Sequence, residues 1–275
     1  WDGRRWWPLG EGLLTAYDGT GEARTIVFSG DDVYVGGSFR KAGGQVVNSV
    51  ARWDGTRWWP LGSGVETAYG EGEVNALAFV GGRLYAGGAF EKAGGQQARG
   101  LAVWDGTQWA EVGGGVYSDI FGTSYNVATV RALVADGADL YVGGNLKFAG
   151  ATPAWGLARL NTTTGAWTAF GEGLIQSEYS AGVVYDIALQ GGDVYVAGEF
   201  AKAGTVDARN VARWDGTAWS VLGQGLMGQY SGRVHAIAFV GADLYAAGTF
   251  DTADGAAAKN IAKWTGTAWQ PLVSD

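Results

Sequence analysis

The chain has 275 residues, a formal net charge of −8 and no cysteine. The acidic balance argues against nucleic acid as a partner, because no overall basic field exists to displace counterions. Without cysteine, disulfides and cysteine-based metal sites are excluded, and no apolar run approaches the ~20 residues of a membrane-spanning helix. The 49 glycines accompany 14 Trp, 12 Tyr and 10 Phe, which favours tight turns between short, packed strands.

One unit of roughly 50 residues recurs along the chain. A Tyr before two small residues marks it at Tyr34, Tyr85, Tyr141, Tyr195 and Tyr245, at intervals of 51, 56, 54 and 50 residues. Each copy continues into a Trp-rich turn, W-D-G-T-x-W or a variant of it, at 53–58, 104–109, 160–167, 214–219 and 264–269. Five copies of this length predict a propeller and not a solenoid.

Each copy is predicted to form four strands, A to D. In the second copy these are Val74–Val80, Arg83–Phe90, Gly100–Trp104 and a strand from Trp109 to Val112, with Gly-Gly and Asp-Gly hairpin turns between them. We therefore predict one all-β domain over residues 1–275, a five-bladed β-propeller with four antiparallel strands per blade. The predicted blades cover approximately 23–61, 74–112, 130–170, 184–222 and 234–272, and residues 1–22 form an extra outer strand and a loop.

These repeats resemble kelch-type propellers, in which Tyr-x-Gly-Gly follows an apolar strand and a spaced Trp comes later. They are more similar to the W-D-G-T-x-W-x-x-L-G-x-G and Y-x-G-G-x-F-x-x-A-G-G repeats of secreted bacterial propeller proteins, and fungal cortical cell-polarity markers carry a related pattern. The resemblance covers nearly the whole chain. It implies an extracellular or cell-surface location and an interaction role, without choosing a ligand, because such folds have many functions.

The N-terminal segment breaks the fivefold count. Strands A to C occur five times, but the Trp-rich outer element occurs six times, because Trp1–Leu9 precedes the first strand A. Together with the start at Trp1, this fits a trimmed product of a longer repeat protein or an extra edge strand. Alternatively, the segment competes with Trp264–Leu272 for one blade, or pairs with a neighbouring molecule in self-association.

Binding residues are expected on the face that carries the D-to-A and B-to-C loops, called the top face, since variable loops on a rigid scaffold commonly bind ligands. Each D-to-A loop contains a tyrosine, and fivefold closure would place all five around one mouth: Tyr17, Tyr69, Tyr125, Tyr179 and Tyr230. Near the start of each strand A lies a residue that is regularly polar but differs between repeats: Arg24, Asn75, Arg131, Tyr185 and His235. One B-to-C loop position holds Asn48, Arg99, Trp155, Arg209 and Lys259, where Trp155 replaces a polar residue.

No catalytic signature accompanies these residues. His235 is the single histidine, so a Ser-His-Asp site has one candidate base and no nucleophile elbow. A glycosidase needs paired carboxylates, and only Asp186 lies within a strand A, with Asp136 at the end of another. We predict no metal and no cofactor, since the Asp-Gly turns do not match a calcium loop.

The sequence therefore predicts a non-catalytic, secreted or surface-exposed module that binds a protein or a glycan at its top face. A glycan would stack on Tyr or Trp155 and bond to Arg24, Asn75 and Arg131. One alternative is a structural subunit joined to its neighbours through the N-terminal strand and the blade edges. A glycoside hydrolase or a lectin acting on polysaccharide is the other.

Overall fold

The computed structural model describes residues 3–118, 128–228 and 232–272. Within these ranges the regular structure consists of β-strands, which form antiparallel pairs throughout. No helix in the same ranges is long and apolar enough to cross a membrane.

Five sheets of four strands each, called sheets 1 to 5, follow the five repeats. Their strands A to D pair in sequence order, so that A and D are the two edges of every sheet. The bounds are Glu22–Ser29, Asp32–Ser38, Val50–Trp53 and Trp58–Pro60 in sheet 1; Glu73–Val80, Arg83–Ala89, Leu101–Trp104 and Trp109–Glu111 in sheet 2; Thr129–Asp136, Asp139–Asn145, Leu157–Asn161 and Trp167–Ala169 in sheet 3; Val183–Gln190, Asp193–Glu199, Val211–Trp214 and Trp219–Val221 in sheet 4; Arg233–Val240, Asp243–Thr249, Ile261–Trp264 and Trp269–Pro271 in sheet 5.

Five smaller sheets, called loop sheets, bring the described total to ten, twice the number that the repeats predict. They arise because the D-to-A loops pair with the B-to-C loops and so satisfy the backbone groups of both. The paired strands are Leu13–Leu14, Lys41–Ala42 and Gln45–Val46; Val65–Thr67, Gly70–Glu71, Lys92–Ala93 and Gln96–Gln97; Val116–Tyr117, Phe148–Ala149 and Thr152–Pro153; Leu174–Ser177, Ser180–Ala181, Lys202–Ala203 and Val206–Asp207; Leu226–Met227, Thr252–Ala253 and Ala256–Ala257. This pairing places both loop sets on one edge, the top face.

The large sheets pack face to face in chain order, and their A strands contact one another. Val130 of sheet 3 lies over Gly87 of sheet 2, so closely that a Cβ on Gly87 would come 2.4 Å from it. Tyr34 of sheet 1 meets Phe79 of sheet 2 edge to face, with ring centroids 5.1 Å apart. The core of the molecule is therefore a series of layers between successive sheets.

An indole hydrogen bond ties the outer part of each of sheets 2 to 5 to the preceding sheet, and that of sheet 1 to the N-terminal segment. Trp109 donates Nε1–H to the backbone oxygen of Leu61, which follows strand D of sheet 1, over 2.7 Å. The same position donates across the other three junctions, at Trp167, Trp219 and Trp269, and in sheet 1 Trp58 donates to Leu9. The repeated Trp residues therefore fix the spacing of the layers as well as filling them.

The array of five sheets is open between its ends. Strands A of sheets 1 and 5, both wholly described, show no packing comparable to that between consecutive sheets. Phe28 in sheet 1 and Val240 in sheet 5 are each 67% exposed. The closure that the fivefold repeat suggested is therefore not seen in the described part of the chain.

The predicted outer strand within Trp1–Leu9 is also absent from its described part, residues 3–9. An outer strand needs a strand C beside it, and the described chain has none before sheet 1 to pair with it. Leu9 instead receives the indole hydrogen bond of Trp58. The segment thus lies where strand D of a preceding sheet would end.

Candidate functional site

A β-bulge explains the polar position near the start of each strand A. In sheet 2, Val74 pairs with Gly88 and Ala76 pairs with Gly87, which leaves Asn75 as the extra residue. A bulge redirects a side chain and removes it from the regular alternation of a strand. The same shift occurs in all five sheets, and the extra residues are Arg24, Asn75, Arg131, Tyr185 and His235.

The glycine opposite each bulge is required by the close approach of the backbone. A Cβ on Gly88 would overlap the carbonyl oxygen of Glu73. The equivalent glycines, Gly37, Gly144, Gly198 and Gly248, face the same overlap with their own strand A. The second glycine of the Tyr-x-Gly-Gly motif is therefore a structural requirement of the bulge.

The first bulge residues bond to one another across the sheet junctions. Arg24 donates to the amide oxygen of Asn75 over 2.8 Å, and its guanidinium also pairs with Glu22 and Glu73. Asn75 donates in turn to the backbone oxygen of Val130 in sheet 3, over 3.0 Å. These polar groups link three consecutive sheets.

The remaining bulge residues continue the same row through ring contacts. The guanidinium carbon of Arg131 lies 5.1 Å from the ring centroid of Tyr185. The ring of Tyr185 lies 5.1 Å from that of His235, at an interplanar angle of 49°. Beside them, Arg233 forms an ion pair with Glu199 over 2.7 Å. The structure thus brings the five predicted inner residues into one row.

The three loop tyrosines that the structure describes do not join this row. Tyr17, Tyr69 and Tyr179 are highly exposed, at 96%, 86% and 79%. Tyr69 lies at the turn between Val65–Thr67 and Gly70–Glu71, and Tyr179 between Leu174–Ser177 and Ser180–Ala181. Tyr125 and Tyr230 fall outside the described residues.

The B-to-C loop position behaves differently in sheet 3 from its counterparts. Asn48 donates to the backbone oxygen of Ser63 over 2.7 Å, Arg99 donates to Tyr117 over 3.1 Å, and Arg209 lies 3.1 Å from the sulfur of Met227. Each of these side chains therefore turns back onto the neighbouring D-to-A loop. Trp155 adopts the same left-handed backbone as Asn48 and Arg209, with φ 43°. Since the three share this backbone, it belongs to the scaffold and is not a special strain at Trp155.

An open cleft adjoins Trp155 on the top face between sheets 3 and 4. Its volume is about 660 Å³. Apolar and polar groups share its wall: Pro153, Trp155 and Ile175 on one hand, and Glu172, Gln176, Ser177, Glu178 and Lys202 on the other. Sequence reasoning found Trp155 as an aromatic substitution but not the cleft, because the wall combines loops from three parts of the chain.

Lys147 connects the two predicted residues nearest this cleft. Its ammonium lies 5.5 Å from the ring centroid of Trp155 and donates to the backbone oxygen of Tyr179 over 3.0 Å. The lysine thus holds the Tyr179 loop beside the indole. A cation over one indole face also fixes the ring, since such contacts are attractive.

Asp186 lies apart from the cleft, in strand A of sheet 4. Its carboxylate accepts hydrogen bonds from the backbone N–H of Ile187 and of Ile237, over 2.9 and 2.8 Å. Burial raises the pKa of Asp186, and the two N–H donors oppose that rise. No cluster of three or more His, Asp or Glu side chains suited to a metal ion occurs among the described residues.

Comparison with known structures supports the fold. No protein-family model matches the sequence, and no curated protein matches it significantly. The chain is similar to the extracellular domain of BT4673 from B. thetaiotaomicron, with a TM-score of 0.56 and 11% identity over 96% of this chain. It spans about a third, 34%, of that structure. The sheet layout fits a β-propeller.

Two further structures resemble the chain more loosely. The computationally designed protein Ika8 matches with a TM-score of 0.45 and 16% identity, over 93% of this chain and 75% of that one. YCF48 bound to D1 peptide matches with a TM-score of 0.49 and 14% identity, over 96% and 73%.

Proposed function

We propose that this protein is a non-catalytic, cell-surface binding module that holds a glycan in the cleft beside Trp155. The observation that carries the proposal is the replacement of a loop-bonding polar side chain by an indole next to an open cleft of about 660 Å³. Rigid scaffolds commonly place their ligand-binding residues on such loops. The five large sheets are the blades in this account, and the loop sheets hold the binding loops at the top.

The chemistry of the cleft wall favours a carbohydrate. An indole face offers apolar area to the C–H groups of a sugar ring, while Glu172, Gln176 and Glu178 offer acceptors for its hydroxyl groups. The mixture of a few polar groups with an apolar floor is typical of small-molecule sites. The surface location follows the resemblance of the repeats to secreted propeller proteins.

The row of bulge residues from Arg24 to His235, called the inner row, has a structural role in this proposal. The polar groups of Arg24 and Asn75 are already used in bonds between sheets, so a ligand would have to break those bonds to reach them. Both carboxylate oxygens of Asp186 likewise accept hydrogen bonds from backbone N–H groups. Asp186 is therefore not a free carboxyl group of the kind that a glycosidase uses as its acid.

Binding of the protein to a panel of polysaccharides immobilised on a surface tests the proposal. We expect the wild-type protein to bind at least one of them and Trp155→Arg to bind about tenfold more weakly or not at all, as expected for the loss of an aromatic contact of ~1.4 kcal/mol. Arginine is the matched replacement because Arg99 and Arg209 occupy this position in sheets 2 and 4. Trp59→Ala, which removes a half-buried indole bonded to Asp54, is the control for general loss of tryptophan. Equal binding by wild type and Trp155→Arg would contradict the proposal.

A further inference from the structure

The two ends of the sheet array expose apolar faces of the kind that pack together at the internal junctions. In sheet 1 the leading face, formed by Ala23, Ile26 and Phe28, points away from sheet 2. In sheet 5 the trailing face, formed by Ala236, Ala238, Val240, Tyr245 and Ala247, points away from sheet 4. At the internal junctions, the leading face of each sheet packs on the trailing face of the sheet before it.

The exposure of these faces contrasts sharply with that of their internal equivalents. Ile26 is 54% exposed, whereas Leu77, at the same position of sheet 2, is 4% exposed. On the trailing face, Ala247 is partly exposed, whereas its equivalents at the four internal junctions are buried: Gly36, Gly87, Gly143 and Ala197. Contiguous apolar faces of this kind on a folded protein mark interaction surfaces.

We propose that the trailing face of sheet 5 binds the leading face of sheet 1 of a second copy of this chain, head to tail. The internal junctions supply the template, since the same two kinds of face meet there four times in one chain. The occupant is therefore a sheet of the same repeat, and the second copy offers one with its leading face uncovered. This inference is independent of the proposed glycan site.

The residues at the two faces fit this contact position by position. At two of the four internal junctions a tyrosine of strand B meets a phenylalanine of the next strand A: Tyr34 meets Phe79, and Tyr195 meets Phe239 with ring centroids 4.9 Å apart. Tyr245 and Phe28 occupy these positions at the open ends. Aromatic pairs in this geometry are attractive beyond their buried area.

The small residues of the two faces are also compatible. At the junction of sheets 4 and 5, Ala197 faces the side of sheet 5 that carries Val234, and both are fully buried in one core cluster. The corresponding residues of the head-to-tail contact are Ala247 and Ala23. Two alanines need less space than alanine and valine, so no side-chain overlap opposes the contact.

The N-terminal segment limits the contact to the inner strands. Leu9 already accepts the indole hydrogen bond of Trp58, a position that strand D of the preceding sheet fills at the other junctions. The residues that follow Pro271 in the docking copy therefore cannot accept the indole hydrogen bond of Trp58, because Leu9 already occupies that position. Strands A and B, which carry Phe28 and Tyr245, remain available.

A head-to-tail contact has a distinctive consequence for mixed variants. Each copy presents one leading and one trailing face, so that wild-type protein forms rings or chains of copies. Phe28→Glu blocks the leading face only, and Ala247→Glu blocks the trailing face only, since the equivalents of Ala247 are buried at all four internal junctions. Either variant alone is expected to be monomeric, while an equimolar mixture of the two retains one intact pair of faces and stops at a 1:1 dimer.

Molar mass by light scattering during size exclusion, over a hundredfold concentration range, tests this inference. We expect the wild-type mass to exceed 28.7 kDa and to rise with concentration, and the variants to behave as described. Val46→Glu, at an exposed apolar residue of a loop sheet, should self-associate like wild type. A monomeric wild type, or a loss of association in only one of the two face variants, would overturn the proposal. Circular dichroism of each variant confirms that the sheets remain folded.

Discussion

The carboxylate of Asp186 accepts a hydrogen bond from the backbone N–H of Ile237, 2.8 Å away in the following sheet. The side chain is the only acidic one at its position, since the other four sheets carry Thr25, Ala76, Ala132 and Ala236 there. It joins sheets 4 and 5 by a charged hydrogen bond in a buried setting, where such bonds are strong but the charge is costly. The residue that most resembled a catalytic acid in the sequence is therefore a link between layers.

Asp186→Ala is expected to lower the free energy of unfolding by about 1 kcal/mol at pH 7, a typical net value for one hydrogen bond. The loss is modest because alanine occupies this position in three other sheets. Burial raises the pKa of Asp186 in the folded state, so the folded protein takes up its proton first as the pH falls. The stability difference between wild type and variant should thus be larger at pH 4 than at pH 7. Urea denaturation at both values measures it, and an equal or smaller difference at pH 4 would contradict this account.

The Asp-Gly turns should give the stability of the protein the opposite dependence on pH. Backbone N–H donors lower the pKa of Asp105 to about 2, from an ordinary 3.8, and similar bonds lower that of Asp215 to about 2. Below pH 3.8 the unfolded chain binds protons that the folded turns still exclude, so stability should fall between about pH 4 and pH 2. Asp105→Asn keeps an acceptor for the turn without this titration. Its thermal midpoint should decline less steeply than that of wild type over this range, and parallel declines would count against the turn as the cause.

Gly88→Ala should destabilise the protein by about 3 kcal/mol, because the added Cβ would overlap the carbonyl oxygen of Glu73 opposite the bulge. Gly81→Ala is the control. Its added Cβ meets open space, so that the only cost, about 1 kcal/mol, comes from the positive φ of 57°. Urea midpoints compare the two variants. If Gly88→Ala cost no more than Gly81→Ala, the bulge would not be the reason for the glycine.

Trp109→Phe is expected to cost about 2 kcal/mol, since it removes the indole bond to Leu61, leaves that carbonyl oxygen with the backbone N–H of Gly64 alone, and reduces the packed ring volume. Trp59→Phe, at a half-buried indole bonded to a surface aspartate, should cost clearly less. Thermal unfolding of the two variants separates the effect of the inter-sheet hydrogen bond from the effect of replacing any indole by a phenyl ring. Equal losses would show that the inter-sheet bond contributes little.

The spacing of the repeats predicts the four-stranded antiparallel sheets, because hairpin turns and apolar runs are local signals. The loop sheets could not be predicted in the same way, since strands of two residues such as Leu13–Leu14 carry no periodicity. The row from Arg24 to His235 was found as a polar position, but its cause, the bulge, depends on the pairing register of two strands. The Trp155 cleft depends on three loops at once, and the exposure of Phe28 depends on which neighbours a sheet has.

The proposed ligand site lies beside Trp155 and not along the inner row. Isothermal titration of one polysaccharide fragment into wild type, Trp155→Arg and Arg131→Ala decides between these locations. We expect wild type and Arg131→Ala to bind with similar affinity at one site per chain, and Trp155→Arg to bind about tenfold more weakly or to give no measurable heat of binding. Retained binding in Trp155→Arg together with loss in Arg131→Ala would contradict this location and place the ligand on the inner row.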